Sequence, residues 1–82
     1  MWYTYMLLCI DRTIYTGVTN DLSARLDKHR TGRGAKYTRS RGADKIIYSE
    51  RHRSKSIAMK REAAIKKLKR AEKLLLTKTN EL

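Results

Sequence analysis

Proline and phenylalanine are absent from this chain, cysteine and tryptophan occur once each, and glycine four times. The single thiol, Cys9, forms no internal disulfide, and with no CxxC or Cys/His cluster there is no zinc-ligand spacing. Both features point to a reducing, cytoplasmic setting and to no structural metal. Long hydrophobic runs are missing too. The longest, Trp2 to Ile10, is stopped by Asp11-Arg12, follows no basic region and is about half of what spans a bilayer, so it reads as neither signal peptide nor anchor. Without Phe, a core must be built from Leu, Ile, Ala and five Tyr. Within 82 residues that supports one small domain, 1–82, of marginal stability without a partner or ligand, which excludes multi-domain enzymes and large cofactor folds.

Acidic residues are scarce: 8 Asp+Glu stand against 20 Lys+Arg, a formal net charge of +12. Basic side chains near phosphates release condensed counterions, so such an excess points first to nucleic acid and predicts affinity that salt weakens. A membrane surface fits less well, since it needs one helix with a clean bulky apolar face and here the cations are spread over several segments. They gather in two stretches. Residues 22–41 carry seven Lys/Arg against Asp27 alone, and residues 51–73 carry ten against Glu62 and Glu72.

Residues 2–10 and 14–18 are β-branched, aromatic and apolar, and the polar break between them reads as a hairpin turn. A two-residue turn, Asp11-Arg12, places Tyr5 and Tyr15 on opposite faces. A three-residue turn, Asp11-Arg12-Thr13, pairs Ile10 with Ile14 and places both tyrosines on one face, and this register is favoured. It gathers Met6, Leu8, Ile10, Ile14 and Val18 as a core face and leaves Tyr3, Tyr5, Tyr15 and Gly17 on the other. Asn20 or Asp21 caps a helix through Leu22 and Leu26 that ends near Gly32, with Arg25 and His29 four apart on one side. Residues 32–42 form a Gly-punctuated basic segment offering phosphate contacts through Arg33, Lys36, Arg39 and Arg41, with Tyr37 able to stack on a base or simply to pack on the domain. Residues 45–49 read as a third strand. Ser54 or Ser56 caps a further helix with an apolar stripe of Ile57, Ala58, Ala64, Ile65 and Leu68 and with Glu62 on its shoulder. Arg61 lies awkwardly near the centre of that stripe, as if its stem snorkelled. Ala71 to Leu76 ends in three leucines that either close the core or meet another chain. The expected fold class is α+β, a three-stranded antiparallel sheet flanked by helices in the order ββαβαα.

Two strand tyrosines, a basic helix and one carboxylate on a later helix resemble the GIY-YIG nuclease superfamily in a small stand-alone form. The resemblance runs from residue 2 to about 76. It rests on Tyr3-Thr4-Tyr5 and Tyr15-Thr16-Gly17 across a hairpin, on Leu22-x-x-Arg25-Leu26-x-x-His29, on Gly34-Ala35-Lys36-Tyr37-Thr38, and on Arg61-Glu62-Ala63-Ala64-Ile65-Lys66-Lys67-Leu68. The first tripeptide departs from the family pattern, with Tyr for Gly and Thr for Ile.

The resemblance implies a DNA endonuclease using one divalent ion, Mg²⁺ or Mn²⁺, that leaves a 5′-phosphate and a 3′-hydroxyl. It implies Glu62 as the sole carboxylate metal ligand, Arg25 on the scissile phosphate, and Tyr5, Tyr15 and His29 around the attacking water. Charge grows on the phosphate oxygens as water attacks, which is why a cation and an Arg belong there. RNA stays open as a substrate, and a partner protein is the expected source of specificity, since no further DNA-reading domain is present. The family often has a further polar residue late in the domain, for which Asn80 in the tail is available. Each residue also has a plainer reading. Tyrosine favours strands, His29 near a helix C-terminus can be a dipole-paired cation, and Glu62 with Lys66 at i+4 can be a surface pair. A non-catalytic nucleic-acid-binding module on the same fold is therefore the rival.

Overall fold

The computed structural model describes residues 1–79, leaving aside the side chains of Tyr37 and Thr79. Strand β1 (Trp2–Cys9) lies in the middle of an antiparallel sheet, with β2 (Ile14–Thr19) on one side and β3 (Ala43–His52) on the other. A central strand is covered on both faces, which explains why WYTYMLLC is apolar with little alternation. Its residues at 4 to 7 and at 9 are buried. The expected antiparallel α+β class is what forms.

The hairpin keeps the expected facing but not the expected pairs. Leu8 pairs with Ile14 and Tyr5 with Gly17. The Cys9 carbonyl accepts from Arg12 N–H at 2.9 Å and Cys9 N–H donates to Thr13 at 2.8 Å, with Arg12 at a φ of 73°. The loop is thus Ile10-Asp11-Arg12, one residue earlier than read, with the left-handed third position usual in three-residue hairpin loops. Asp11 fixes it by accepting from the Thr13 N–H at 3.1 Å and hydroxyl at 2.6 Å. Moving a three-residue loop by one shifts every pair by two, so each side chain keeps its face. Ile10 alone is displaced: it sits in the turn at 68% exposure, not in the core.

Helix α1 (Leu22–Arg30) begins at Asp21, whose carboxylate accepts from Ala24 N–H. The Gly-punctuated basic segment, to which no helix was assigned, contains α2 (Lys36–Arg41), closed by Gly42 at a φ of 77°. The order is therefore ββααβαα. Helix α3 (Lys55–Lys66) is capped by Ser54, whose hydroxyl accepts from Ile57 N–H, and α4 (Arg70–Thr79) follows a short break. The strand read over 45–49 runs to ten residues and shifts register twice against β1, skipping Asp44 and Ile47.

Helix α3 covers the even-numbered face of β1. Thr4 donates to the Ala58 carbonyl at 2.8 Å, and Met6, Tyr48 and Ile65 form the buried cluster, flanked by Ile14, Ile47 and Leu76. Its buried side runs through 58, 61 and 65 and is continued by Leu68 just past its end, so Ile57 and Ala64, one step round the helix, face solvent. Arg61 belongs to that side because Glu50 on β3 faces it. The Arg61 Nε lies 2.9 Å from each Glu50 oxygen, and Glu50 also accepts from Tyr48 Oη and, at 3.1 Å, pairs with His52. A guanidinium set against an apolar stripe gains from such a partner, and the pairing accounts for its place there. On α4, Leu76 joins the core while Leu74 and Leu75 remain exposed. No helix among the described residues is long and apolar enough to cross a membrane.

Candidate active site

The odd-numbered face of β1 carries the candidate site. Tyr5 is 1% exposed, and its partner Gly17 is what lets the ring lie down: a Cβ there would stand 2.6 Å from the Tyr5 hydroxyl oxygen and 3.0 Å from Tyr15 Cε2. That is closer than atoms pack, so the glycine two residues after Tyr15 is required by the tyrosines themselves. The rings of Tyr5 and Tyr15 have centroids 6.3 Å apart, and Tyr15 meets His29 edge-on at 5.3 Å.

His29 comes from the last turn of α1 and is 2% exposed, which sets aside the dipole-paired surface cation. Its Nε2 is 2.9 Å from the Tyr5 hydroxyl and its Nδ1 is 2.7 Å from Thr38 Oγ1 on α2. Burial, then the charge of Arg25 one turn earlier, hold its pKa below the ordinary 6.5, so near neutral pH the imidazole is uncharged. Gly34 makes room for the ring: a Cβ there would lie 2.8 Å from both Cγ and Cε1 of His29. The segment 34–38 thus serves the histidine directly, through Gly34 and the buried Thr38. Sequence reading missed both. The only available signal was the place of the Gly-Ala-Lys-Tyr-Thr string in the family resemblance, which gave neither residue a role.

The Tyr5 phenol is pushed well above its ordinary range, first by burial and then by Tyr15, while Arg25 pulls it back and Glu62 raises it further. Arg25 and Glu62 therefore both act electrostatically on the same hydroxyl, from α1 and α3. Glu62 is partly buried, its side chain 21% exposed, and Oε2 lies 3.4 Å from Lys66 Nζ. The pair foreseen at i+4 is thus formed. The Arg25 guanidinium has no hydrogen bond or ion pair among the described residues, while its backbone N–H donates to the Asp21 carbonyl at 3.0 Å.

Of the phosphate-contact candidates, Arg33, Lys36 and Arg39 are exposed, and Lys36 and Arg39 lie on α2, the helix that carries Thr38. Arg41 is different: its Nη1 is 2.8 Å from Asp11 Oδ2 in the hairpin loop, so much of its charge is spent on holding α2 to that loop. The Tyr37 side chain and Asn80 lie outside the described residues.

The model of the GIY-YIG catalytic domain matches residues 1–75. The chain belongs to the GIY-YIG family. Among its relatives are UPF0213 proteins of Oceanobacillus iheyensis, 49% identical over 79 residues (96% of this chain, 92% of the relative), and of Clostridium perfringens, 46% identical over 82 residues (100% and 88%). A solution NMR structure of a UPF0213 protein from Bacillus halodurans superposes with a TM-score of 0.60 at 41% identity, covering 96% of this chain and 85% of that one. Membership in a GIY-YIG catalytic-domain family points to the endonuclease superfamily; the names of these relatives say nothing of metal, substrate or reaction.

The donor set of this GIY-YIG chain sets the terms for a metal. Among the described residues no three His, Cys, Asp or Glu side chains cluster to hold an ion. One carboxylate suits Mg²⁺, which keeps several waters and shares its shell with substrate phosphate. It does not suit zinc, which wants three or four protein ligands.

Proposed function

We propose that this chain hydrolyses a DNA phosphodiester to a 5′-phosphate and a 3′-hydroxyl, with Glu62 holding one Mg²⁺ or Mn²⁺ against the scissile phosphate. The observation that supports it most is the 2.9 Å contact of Tyr5 with a buried, neutral His29, with Arg25 and Glu62 both within electrostatic reach of the phenol. When bound, the ion supplies Lewis-acid stabilisation of the charge that develops on the phosphate oxygens. Arg25, its guanidinium free of partners among the described residues, binds a non-bridging oxygen of the same phosphate and balances the rest of that charge.

Tyr5 does not deprotonate water on its own, because its raised pKa keeps it protonated at neutral pH. It relays. As water attacks phosphorus, its proton passes to the Tyr5 oxygen while the Tyr5 proton passes to His29 Nε2, so the base is the pair. Tyr15 walls the same spot and limits where the water sits. The 3′ oxygen leaves as the P–O bond breaks and takes a proton from solvent water to become the hydroxyl. Arg33, Lys36 and Arg39 bind phosphates along the strand without reading bases, so a partner protein or the shape of the nucleic acid selects the target. An unpaired, buried Cys9 suits a cytoplasmic site of action.

The Glu62–Lys66 pair is the observation that favours the rival, a module that binds nucleic acid without cutting it. Incubating purified protein with nicked, branched and linear DNA and with RNA, in Mg²⁺, Mn²⁺ or EDTA, separates the two. The nuclease reading expects metal-dependent cleavage abolished by Glu62→Ala with affinity kept. Binding without cleavage in every condition, or full activity in Glu62→Ala, would leave the binding module standing.

A further inference from the structure

The Tyr5–His29 contact can run in either direction. If Nε2 is bare, Tyr5 donates to it and the pair takes up a proton from water. If Nε2 carries hydrogen, His29 donates to Tyr5 and the pair has no room for that proton. The distance between the two residues does not decide between these states; the other nitrogen does.

That nitrogen, Nδ1, faces Thr38 Oγ1 at 2.7 Å, and Oγ1 is in turn 3.0 Å from the Ala35 carbonyl, one helical turn back. A carbonyl only accepts, and Ala35 O, which also takes the Arg39 N–H at 3.0 Å, accepts the one proton of the Thr38 hydroxyl with its second lone pair. Oγ1 then turns a lone pair toward His29, which leaves Nδ1 to supply the hydrogen of the 2.7 Å contact. Both residues are buried, so no solvent competes for the arrangement. Of the ring's other neighbours, Tyr15 presents an edge with centroids 5.3 Å apart, Arg25 a charge along α1, and Gly34 an open flank.

We infer that Thr38 is a positioning residue that fixes His29 as the Nδ1–H tautomer and so sets the direction of proton flow through Tyr5, with Gly34 admitting the ring to the site. The inference rests on the nuclease reading for its catalytic consequence but not for its structural one. Thr38 itself touches neither water nor phosphate. It also sits on α2 between Lys36 and Arg39, so the helix that offers phosphate contacts is the helix that locks the histidine.

The test needs no substrate. Long-range ¹H–¹⁵N correlation spectra of the imidazole, recorded on the whole chain above the pH at which His29 titrates, report which nitrogen bears hydrogen. The wild type and Thr38→Ser should show Nδ1–H. Thr38→Val, which keeps the shape and removes the acceptor, should move His29 toward Nε2–H. A wild type in the Nε2–H form, or Thr38→Val with Nδ1–H retained, would overturn the inference. Should Thr38→Val not fold, the wild-type and Thr38→Ser spectra still decide it. Where cleavage is measurable, Thr38→Val should lower kcat about 10- to 100-fold, the usual loss on removing a group that orients a functional histidine, with DNA affinity unchanged and Thr38→Ser near wild type. Undiminished kcat in Thr38→Val would refute the catalytic part. If no substrate is cut by any form, the nuclease reading fails while the tautomer result stands or falls by itself.

Discussion

Replacing Gly34 by alanine tests the site through one methyl group. At a glycine with open space and an ordinary backbone, this change stabilises a protein by about 0.4–1 kcal/mol because it narrows the unfolded ensemble. Gly34 is not among the glycines of positive φ, so no backbone penalty applies. The obstacle is His29, whose Cγ and Cε1 would lie 2.8 Å from the new carbon. The ring cannot retreat without giving up its bonds to Tyr5 and Thr38, at 2.9 and 2.7 Å. Overpacking of this kind costs roughly 1–3 kcal/mol, and each buried hydrogen bond lost adds about 1 kcal/mol. A net loss of about 2–4 kcal/mol follows, a large share of the roughly 4–12 kcal/mol that a chain of 82 residues commands. Thermal denaturation followed by circular dichroism should register it as a fall in Tm of about 10–25 °C. In the same sample, the His29 ring resonances should move. A Tm equal to or above wild type with those resonances unchanged would show that the ring does not occupy this position.

Three further outcomes follow from particular contacts. Lys66→Met removes the cation that competes at Glu62 Oε2, and because exposed pairs are worth about 0.2–1 kcal/mol the Mg²⁺ concentration for half-maximal cleavage should drop up to about fivefold; an unchanged or higher midpoint would show that the pair does not oppose the metal. His29 has a folded pKa below its ordinary 6.5, so between the two values the unfolded chain binds more protons than the folded one. Stability should therefore decline as pH falls below about 6.5, and in urea titrations at pH 7.5 and 5.5 His29→Gln should lose part of that decline; an identical decline would mean that His29 contributes none of it. Burial pushes the Cys9 thiol up, so an aromatic disulfide reagent should label it only in denaturant, and prompt labelling of the native chain would contradict its packing.

Strand facing was legible because it depends on parity alone. Any odd-length loop near residue 12 puts Tyr5 and Tyr15 on the same face, so the reading survived a loop misplaced by one residue. Ile10 was misread for the same reason. Parity assigns a face but not the point where the chain leaves the sheet, and an apolar residue beside Asp11 carries no mark of a turn. Helix α2 was invisible for a local reason: Ala35 at its start makes no side-chain cap and its first turn holds no acid, so neither usual N-terminal signal is present. The Glu50–Arg61 pair joins residues eleven apart on different elements. Sequence showed only that Arg61 fell on an apolar stripe, and the misfit was the trace of a partner it could not name.

The basic residues divide by what they already hold. Arg30 donates to the Asp44 carbonyl at 2.7 Å, Arg70 to the Arg12 carbonyl at 2.6 Å, Arg41 pairs with Asp11, and Arg61 with Glu50. Each of these ties a helix to the sheet or its hairpin loop, and together they replace some of the apolar contact that a core this small lacks. Arg25, Arg33, Lys36 and Arg39 have no such duty among the described residues. They stand on α1, on α2 and on the loop between, the elements that meet at His29. The charge of +12 is thus in part internal fastening, and one group of the cations without that duty lies on the elements that carry the histidine and Thr38. On the nuclease reading proposed above, a phosphate drawn to that group arrives where Arg25 already bears on Tyr5, so phosphate binding and the proposed proton relay share one place instead of two.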